Sequence, residues 1–388
     1  MKIAVYGGSF NPPHLGHLEA ARTAVRELQP DLFLIVPDSI PPHKALAEGS
    51  PTAQERLELC RLAFAGIPGA EISDMEMQRE GKSYTYDTVC QLLERYPGAE
   101  LTLVIGTDML ESFEAWYHFR FLLEHCTIAA LSREEDDREQ IAAVAESLRA
   151  DYGAHVLLLA HEPLEASSEK IRERLPLRAG EDLLSDAVYS EIIRRRYYGA
   201  KPELTWLRAK VLDHLDEHRV AHVAGCEAEA VRLALHWGED PELAAEAGIL
   251  HDITKRCSCE EQLNLCEKYG IIIDNSERSN PRLLHARTGA ALARELFGAD
   301  DAVCEAIRWH TTGKPDMTLF EKILYLADYI EPTRDFDGIG PLRELAYEDL
   351  DRAMALALKM TIDEVRRAGR EVYVDTLTAY EWYNEKEK

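Results

Sequence analysis

The chain has 388 residues, 46% of them apolar and 29% charged, with a formal net charge of −26. That length predicts two domains rather than one core. The acidic excess argues against non-specific binding to nucleic acid or to anionic membranes, both of which need basic surface.

No apolar run approaches the roughly 18 residues of a spanning helix. MKIAVYGG at the start reads as a strand followed by glycines, not as a secretory signal, so a cytoplasmic location is expected. In chain order, KIAVYG, DLFLIVP, AEISD, ELTLVIG, CTIAALS and HVLLLA read as strands. Between them LEAARTAVREL, TAQERLELCRLAF and YDTVCQLLERY read as helices, the second opened by a Thr52/Glu55 capping box. Continuous apolar strands alternating with helices predict an α/β fold: a doubly wound, Rossmann-like parallel sheet buried on both faces.

After about Gly199 the strands stop, and GAKPE, residues 199–203, reads as a linker. The expected domains are therefore 1–199 and 200–388, the second all-α. Its punctuation includes Asp240-Pro241-Glu242, a cap with proline at the first helical position, and a Thr318/Glu321 capping box. Eight cysteines are scattered with no CxxC pair. Reduced thiols are the preferred reading, with a zinc site at Cys257, Cys259 and Cys266 the weaker one.

The first stretch that carries chemistry is GGSFNPPHLGH, residues 7–17. It lacks the GxGxxG dinucleotide fingerprint. Gly7 and Gly8 close the first strand, and His14 and His17 stand at the entry to a helix, whose N-terminus favours phosphate. Spaced three apart, the histidines share one helix face. Their donors suit charge developing on phosphoryl oxygens.

This pattern resembles the HxGH nucleotidyltransferase superfamily. Further matches are Pro41-Pro42-His43-Lys44, Ser73-Asp74-Met75-Glu76, Ser83-Tyr84-Thr85-Tyr86-Asp87-Thr88, Gly106-Thr107-Asp108, Trp116 and Ser167-Ser168-Glu169-Lys170-Ile171-Arg172. Together they resemble bacterial nicotinate-nucleotide adenylyltransferases over residues 1–199. The resemblance implies AMP transfer from ATP, with Mg²⁺, to nicotinate mononucleotide, giving deamido-NAD and pyrophosphate. It implies that His14 and His17 hold the ATP phosphates and that Lys44 and Arg172 are phosphate contacts. It implies that Gly106 and Asp108 lie on the adenosine side and that Thr85 and Trp116 seat the nicotinate nucleotide. Gly7, Gly8, Ser9, Phe10, Ser167 and Ser168 would line the substrate. Arg172 reads as lying in the first turn of a helix, where the dipole disfavours a cation, so a nearby anion is expected.

Two departures stand out. Glu169 follows Ser167-Ser168 where the family has a small hydroxyl residue, and Arg133 precedes four acidic residues instead of a proline-containing turn.

The second half carries His222, His251-Asp252, His285, His310 and Asp328. Asp328 falls within ILYLADYI, an almost wholly apolar turn, where a carboxylate is costly unless paired or metal-bound. Histidines with carboxylates suit first-row divalent metals. The order His…His-Asp…His…His…Asp across helices resembles the HD phosphohydrolase superfamily. Arg219-Val-Ala-His222, His251-Asp252-Ile-Thr-Lys255, Arg308-Trp-His310-Thr-Thr-Gly313 and Asp328-Tyr-Ile-Glu-Pro332-Thr-Arg334 resemble bacterial HD-domain symmetrical diadenosine tetraphosphatases.

That resemblance implies a di-metal centre, iron first and manganese, magnesium or zinc as alternatives, cleaving diadenosine tetraphosphate to two ADP. Asp252 would bridge the metals. His222, His251 and Asp328 would hold one metal, and His285 and His310 the other. Arg219, Lys255 and Arg334 would neutralise the polyphosphate. The partners expected are these small molecules, with no nucleic acid and no membrane; self-association is compatible with the sequence. Competing readings are another acceptor for the first domain, and another nucleotide or a purely regulatory role for the second.

Overall fold

The alternating apolar runs of the first half form a six-stranded, all-parallel sheet of order β3-β2-β1-β4-β5-β6. The strands are β1 (Lys2–Gly8), β2 (Leu32–Pro37), β3 (Ala70–Ile72), β4 (Glu100–Gly106), β5 (Cys126–Leu131) and β6 (Val156–Leu158). The structure is a computed structural model that describes residues 1–42, 45–132, 137–160, 164–274, 277–278 and 281–386. It divides into two units, Met1–Lys201 and Pro202–Lys388.

Helices of the first unit include α1 (Leu15–Leu28), α2 (Ala53–Phe64), α3 (Thr85–Arg95), α4 (Thr107–Glu111), α5 (Phe119–His125), α6 (Asp137–Tyr152), α7 (Ser168–Arg174) and α8 (Asp186–Arg195). They cover both sheet faces. Side chains alternate along a strand, so Ile3 and Val5 enter one core with Leu34, Leu103 and Ile128. Ala4 and Tyr6 enter the other with Phe33, Val104 and Ala129. Burial on both sides is why these strands read as unbroken apolar runs.

The chain winds outward through β1, β2 and β3, then returns to lay β4 beside β1, with Tyr6 opposite Val104. Strand order therefore reverses between β1 and β4. Segments leaving the carboxyl ends of two such strands splay apart and leave a crevice. Gly8 ends β1 and Gly106 ends β4, so the two glycine-marked stretches of the sequence meet there.

The second unit is helical: α9 (Leu204–Leu212), α10 (Glu217–Trp237), α11 (Pro241–Leu250), α12 (Cys259–Lys268), α13 (His285–Phe297), α14 (Asp301–Trp309) and α15 (Leu319–Ile330), followed by Ile339–Glu348, Leu350–Arg367 and Val374–Lys386. Asp240 caps α11 through the Glu242 and Leu243 amides with Pro241 at its start, and Thr318 and Glu321 cap α15 reciprocally. Helix α11 is buried at every position from Ala244 to Leu250, not along one stripe as its Leu243, Ala244, Ala247, Leu250 pattern suggests. Among the described residues, no helix is long and apolar enough to cross a membrane.

Close approach of α10 and α11 explains Gly248. A Cβ there would lie 2.7 Å from the Glu227 Cα, a backbone atom that cannot yield locally. Gly248→Ala is expected to destabilise the second unit by about 1–3 kcal/mol, the usual cost of overpacking. Urea unfolding of the full chain checks this; an unchanged transition would mean that the helices separate freely.

Candidate functional sites

The first site begins with the cap of α1. His14 is the N-cap and His17 the third helical residue, and each ring closes on the other's backbone. The His17 amide donates to His14 Nδ1 at 3.3 Å, and the His14 amide donates to His17 Nδ1 at 3.2 Å. This is a capping box built from two histidines in place of Ser/Thr and Glu. An Nδ1 that accepts carries no proton, so the proton of each neutral ring sits on Nε2. The rings stack with centroids 3.7 Å apart. Gly16 is required by this stack: a Cβ would come within 3.1 Å of His14 Nδ1 and 3.3 Å of the Leu164 carbonyl.

Phe10 adopts a left-handed backbone (φ 45°), unusual for a bulky side chain, and its ring packs edge-on to His17 at 5.1 Å. Gly8 makes room for that ring, which a Cβ would meet at 3.2 Å.

Sequence reasoning missed what holds this turn. Arg56 of α2 is fully buried. It donates to the Ser9 carbonyl at 2.7 Å, to the Asp38 carboxylate at 3.0 Å and to the Asp38 and Ser39 carbonyls at 2.7 and 3.1 Å. Asp38 in turn accepts from Ser9 Oγ at 2.6 Å. A second clamp closes from the far end of the unit. Arg172 donates to the Asn11 carbonyl at 2.6 Å, Ser168 Oγ to the Pro12 carbonyl at 2.9 Å, and Tyr198 to the Asn11 side chain at 2.7 Å.

Arg172 lies in the last turn of α7, not the first. The helix dipole favours a cation there, so the dipole argument for an anion fails. What the structure gives instead is its contact with the Asn11 carbonyl. Glu169 is exposed. Thr85 is the first residue of α3, and Asp108 is exposed in the first turn of α4. Trp116 is partly buried and stacks on Phe113 at 4.8 Å. Lys44 and Arg133 lie outside the described residues.

The second unit brings His222, His251, Asp252, His285, His310 and Asp328 together. Here the rings are held the other way round. Nδ1 of His251 donates to the Gly248 carbonyl at 2.8 Å, Nδ1 of His285 to the Arg282 carbonyl at 2.6 Å, and Nδ1 of His310 to the Ile307 carbonyl at 2.6 Å. Each acceptor is three residues back, where a helix end or turn exposes its carbonyl. His222 Nδ1 faces the Glu331 carboxylate at 3.1 Å. The protons of His251, His285 and His310 are thus on Nδ1; His222 lies between two carboxylates, and although burial works against its charge, Asp328 at Nε2 and Glu331 at Nδ1 strengthen its hold on protons. All four Nε2 atoms turn inward. They meet in two close pairs, His222 with His251 at 3.3 Å and His285 with His310 at 3.2 Å.

Asp252 sits between the pairs. Its Oδ2 is 3.6 Å from both His222 Nε2 and His251 Nε2. Its Oδ1 is 3.4 Å from His285 Nε2 and 3.7 Å from His310 Nε2. Asp328 Oδ1 is 3.1 Å from His222 Nε2 and 3.9 Å from His251 Nε2. Ligand atoms of His222, His251 and Asp328, and those of His251, Asp252 and His310, lie within 4.8 Å of one another.

The donor set fits cations. Lone pairs facing each other at the 3.2 Å of His285 and His310 repel unless positive charge lies between them. Asp252 Oδ1 is buried and has no hydrogen-bond partner among the described residues, which is costly in a dry interior. Burial would raise the Asp252 and Asp328 carboxyls, but the surrounding histidines, with Lys255 beside Asp252, hold both well below the ordinary carboxylate range. Burial pushes His251 down to about 4, and burial with the Lys255 charge pushes His285 down to about 3, so both are neutral ligands at physiological pH.

Three cations ring the centre. Arg219 reaches Asp252 at 3.0 Å, Arg334 reaches Asp328 at 3.0 Å, and Lys255 lies 2.9 Å from His285 Nε2. Each remains partly open to solvent while paired to the centre. Thr311, which sequence reasoning missed, lies 3.1 and 3.2 Å from the Nε2 atoms of His285 and His310. Its place directly after His310 was the available signal. Cys257 is half-buried, Cys259 exposed and Cys266 buried, and none of them joins a metal-capable cluster among the described residues.

The cytidylyltransferase-like family matches residues 5–174, and the HD domain family matches residues 219–333. The symmetrical bis(5'-nucleosyl)-tetraphosphatase of Bacillus subtilis (strain 168) is 38% identical over 178 residues, 45% of this chain and 94% of the relative. The probable nicotinate-nucleotide adenylyltransferase of Carboxydothermus hydrogenoformans is 35% identical over 201 residues, 51% of this chain and 98% of the relative. A crystal structure of a predicted HD superfamily hydrolase involved in NAD metabolism, from Clostridium acetobutylicum, is 36% identical, covering 48% of this chain and 100% of that one, with a TM-score of 0.47.

Arg56→Met is expected to cost about 3–5 kcal/mol, because it strands the Asp38 carboxylate in a nearly closed site. Chemical denaturation of the full chain measures this. A loss below about 1 kcal/mol, the value of an exposed pair, would show that Arg56 does not hold the Ser9 turn.

Proposed function

The N-terminal half of the chain belongs to the nicotinate-nucleotide adenylyltransferase family and the C-terminal half to the HD-domain symmetrical bis(5'-nucleosyl)-tetraphosphatase family, and from that premise we propose one polypeptide with two activities. The first unit transfers AMP from MgATP to nicotinate mononucleotide, forming deamido-NAD and pyrophosphate. The second hydrolyses diadenosine tetraphosphate symmetrically to two ADP. The observation that carries this reading is the opposite setting of the two histidine groups. One pair accepts at Nδ1 and offers Nε2–H. The other four meet acceptors at Nδ1 and turn Nε2 toward one another and toward the Asp252 and Asp328 carboxylates.

In the first reaction the 5'-phosphate oxygen of nicotinate mononucleotide attacks the α-phosphorus of ATP, and the bond to the β-phosphate bridge breaks. The Nε2–H groups of His14 and His17 donate to phosphoryl oxygens as charge grows on them and on the departing pyrophosphate. The backbone of Gly7, Gly8, Ser9 and Phe10 and the start of α1 form the phosphate cradle. Arg172, Ser167 and Ser168 close it from α7, with Lys44 as a further phosphate contact. Gly106 and Asp108, at the mouth of β4, take the adenosine side. Thr85 and Trp116 take the nicotinate nucleotide.

In the second unit His222, His251 and Asp328 would hold one metal and His285 and His310 the other, with Asp252 shared between them. Bound there, divalent metals, iron first, would supply Lewis acidity for hydrolysis at phosphorus. Arg219, Lys255 and Arg334 surround that point and neutralise the polyphosphate. Lys255 stands 2.9 Å from His285 Nε2 and 3.7 Å from Asp252 Oδ1, and burial weakens its hold on its proton.

Three variants separate the two halves. Asp252→Ala abolishes ADP release from diadenosine tetraphosphate and leaves deamido-NAD synthesis intact. His17→Ala does the reverse, with a loss of about 10²–10³-fold in kcat, the usual cost of one transition-state donor. Gly16→Ala displaces the His14 ring and lowers kcat/KM of the first reaction by about 10²-fold, as small misplacements do. Paired product assays on the full chain, with metal analysis, check all three. Loss of both activities in a folded Asp252→Ala or His17→Ala protein contradicts two independent sites. A metal-loaded wild-type chain that spares diadenosine tetraphosphate and cleaves another nucleotide contradicts the substrate.

A further inference from the structure

His222 differs from the other three inward-facing histidines in what holds it. His251, His285 and His310 each lean on a neutral backbone carbonyl. His222 leans on a carboxylate, Glu331, which has no solvent exposure at all. Glu331 follows Asp328 by three residues at the end of α15, so one helix terminus supplies both a candidate ligand and the group behind another.

The Glu331 carboxylate is fully committed. Oε1 faces His222 Nδ1 at 3.1 Å and accepts from the Thr333 hydroxyl, Oε2 accepts from the Thr333 amide at 2.6 Å, and Arg334 Nε lies 3.8 Å away. The facing helix is cut to receive it. Gly225, three residues after His222 on α10, has no side chain, and a Cβ there would overlap Glu331 Oε2 and lie 3.2 Å from Cδ. A buried carboxylate is expensive, and a glycine inside a 21-residue helix costs about 1 kcal/mol relative to alanine. Both costs fall on one contact, the one behind His222.

We propose that Glu331 is a positioning residue for the metal centre. It fixes the Nδ1-protonated form of His222 and places negative charge behind that ring, and Gly225 is its socket. The consequence is unequal metal positions: the one served by His222, His251 and Asp328 is the tighter. A carboxylate behind a ligand histidine raises its donor strength, which backbone carbonyls do less. Glutamine cannot substitute. Its amide must face either the Thr333 amide, a donor against a donor, or His222 Nδ1, which then keeps its proton on Nε2 and cannot ligate.

This inference rests on the di-metal reading above, and the test separates the two. Full-length protein stripped with EDTA is titrated with Mn²⁺ alone, and affinity and stoichiometry are read by calorimetry and by electron paramagnetic resonance. The wild type binds two Mn²⁺ with distinct affinities. In Glu331→Gln the tighter site weakens by at least about 10-fold, the lower end for such outer partners, while the weaker site and deamido-NAD synthesis are unchanged. Gly225→Ala reproduces this, since the atom its Cβ meets is the end of a side chain and the carboxylate gives way. Glu331→Gln or Gly225→Ala protein that keeps both wild-type affinities overturns the proposal, and so does equal weakening of both sites. If Glu331→Gln does not fold, Gly225→Ala decides alone. A wild-type chain that binds no Mn²⁺ overturns the di-metal reading itself, and this inference with it, before any variant is compared.

Discussion

Every functional histidine in this chain has one ring nitrogen committed to the fold, and that commitment dictates what the other nitrogen can do. A ring whose Nδ1 accepts from a backbone amide must carry its proton on Nε2 and can only donate there. A neutral ring whose Nδ1 donates to a carbonyl or carboxylate presents a lone pair at Nε2 and can only accept or ligate there. His14 and His17 are of the first kind, because a helix start exposes unsatisfied amides. His251, His285 and His310 are of the second, because helix ends and turns expose carbonyls. The same residue type thus becomes an anion donor or a candidate metal ligand according to the group its Nδ1 meets: amides at the start of α1, carbonyls at the ends of α11 and α14 and in the turn before α13, and a carboxylate behind His222.

The rest of each unit serves that commitment. In the first, the sheet reverses its winding between β1 and β4, which opens the crevice, and buried Arg56 fixes the turn that feeds α1. Phe10 wedges against His17, and Gly8 and Gly16 give the rings room. In the second, close packing of α10 on α11 at Gly248 places the carbonyl that orients His251. Asp252 then lies between two pairs of nitrogens, one oxygen toward each. Against a net charge of −26, Arg172 stands at the first site and Arg219, Lys255 and Arg334 at the second.

Much of this was legible in the sequence, and the physical reason is locality. Strand and helix periodicity, the Thr52/Glu55 and Thr318/Glu321 caps, and the point where strands give way to helices depend on neighbours a few residues apart. The HLGH and HD stretches also announce themselves locally. What the sequence hid is held by distant partners. Arg56 reads as one more helix charge until it meets Ser9, 47 residues away. Glu331 reads as a helix-end acid until it meets His222, 109 residues away. Gly225 looks like a defect in α10 until that carboxylate is in place. Arg172 was misread because the helix it sits on starts and ends within seven residues, and a boundary error of one turn reverses the sign of the dipole argument. The setting of the histidine rings could not be read at all, since it depends on which backbone group each ring meets.

The most direct test is the protonation site of each imidazole in the metal-free, nucleotide-free protein. Selective ¹⁵N labelling of histidine and long-range ¹H–¹⁵N correlation of the full chain, assigned by single substitutions, report it ring by ring. The account predicts Nε2–H for His14 and His17 and Nδ1–H for His251, His285 and His310. One common tautomer across these five, or Nδ1–H at His14 and His17, would contradict it.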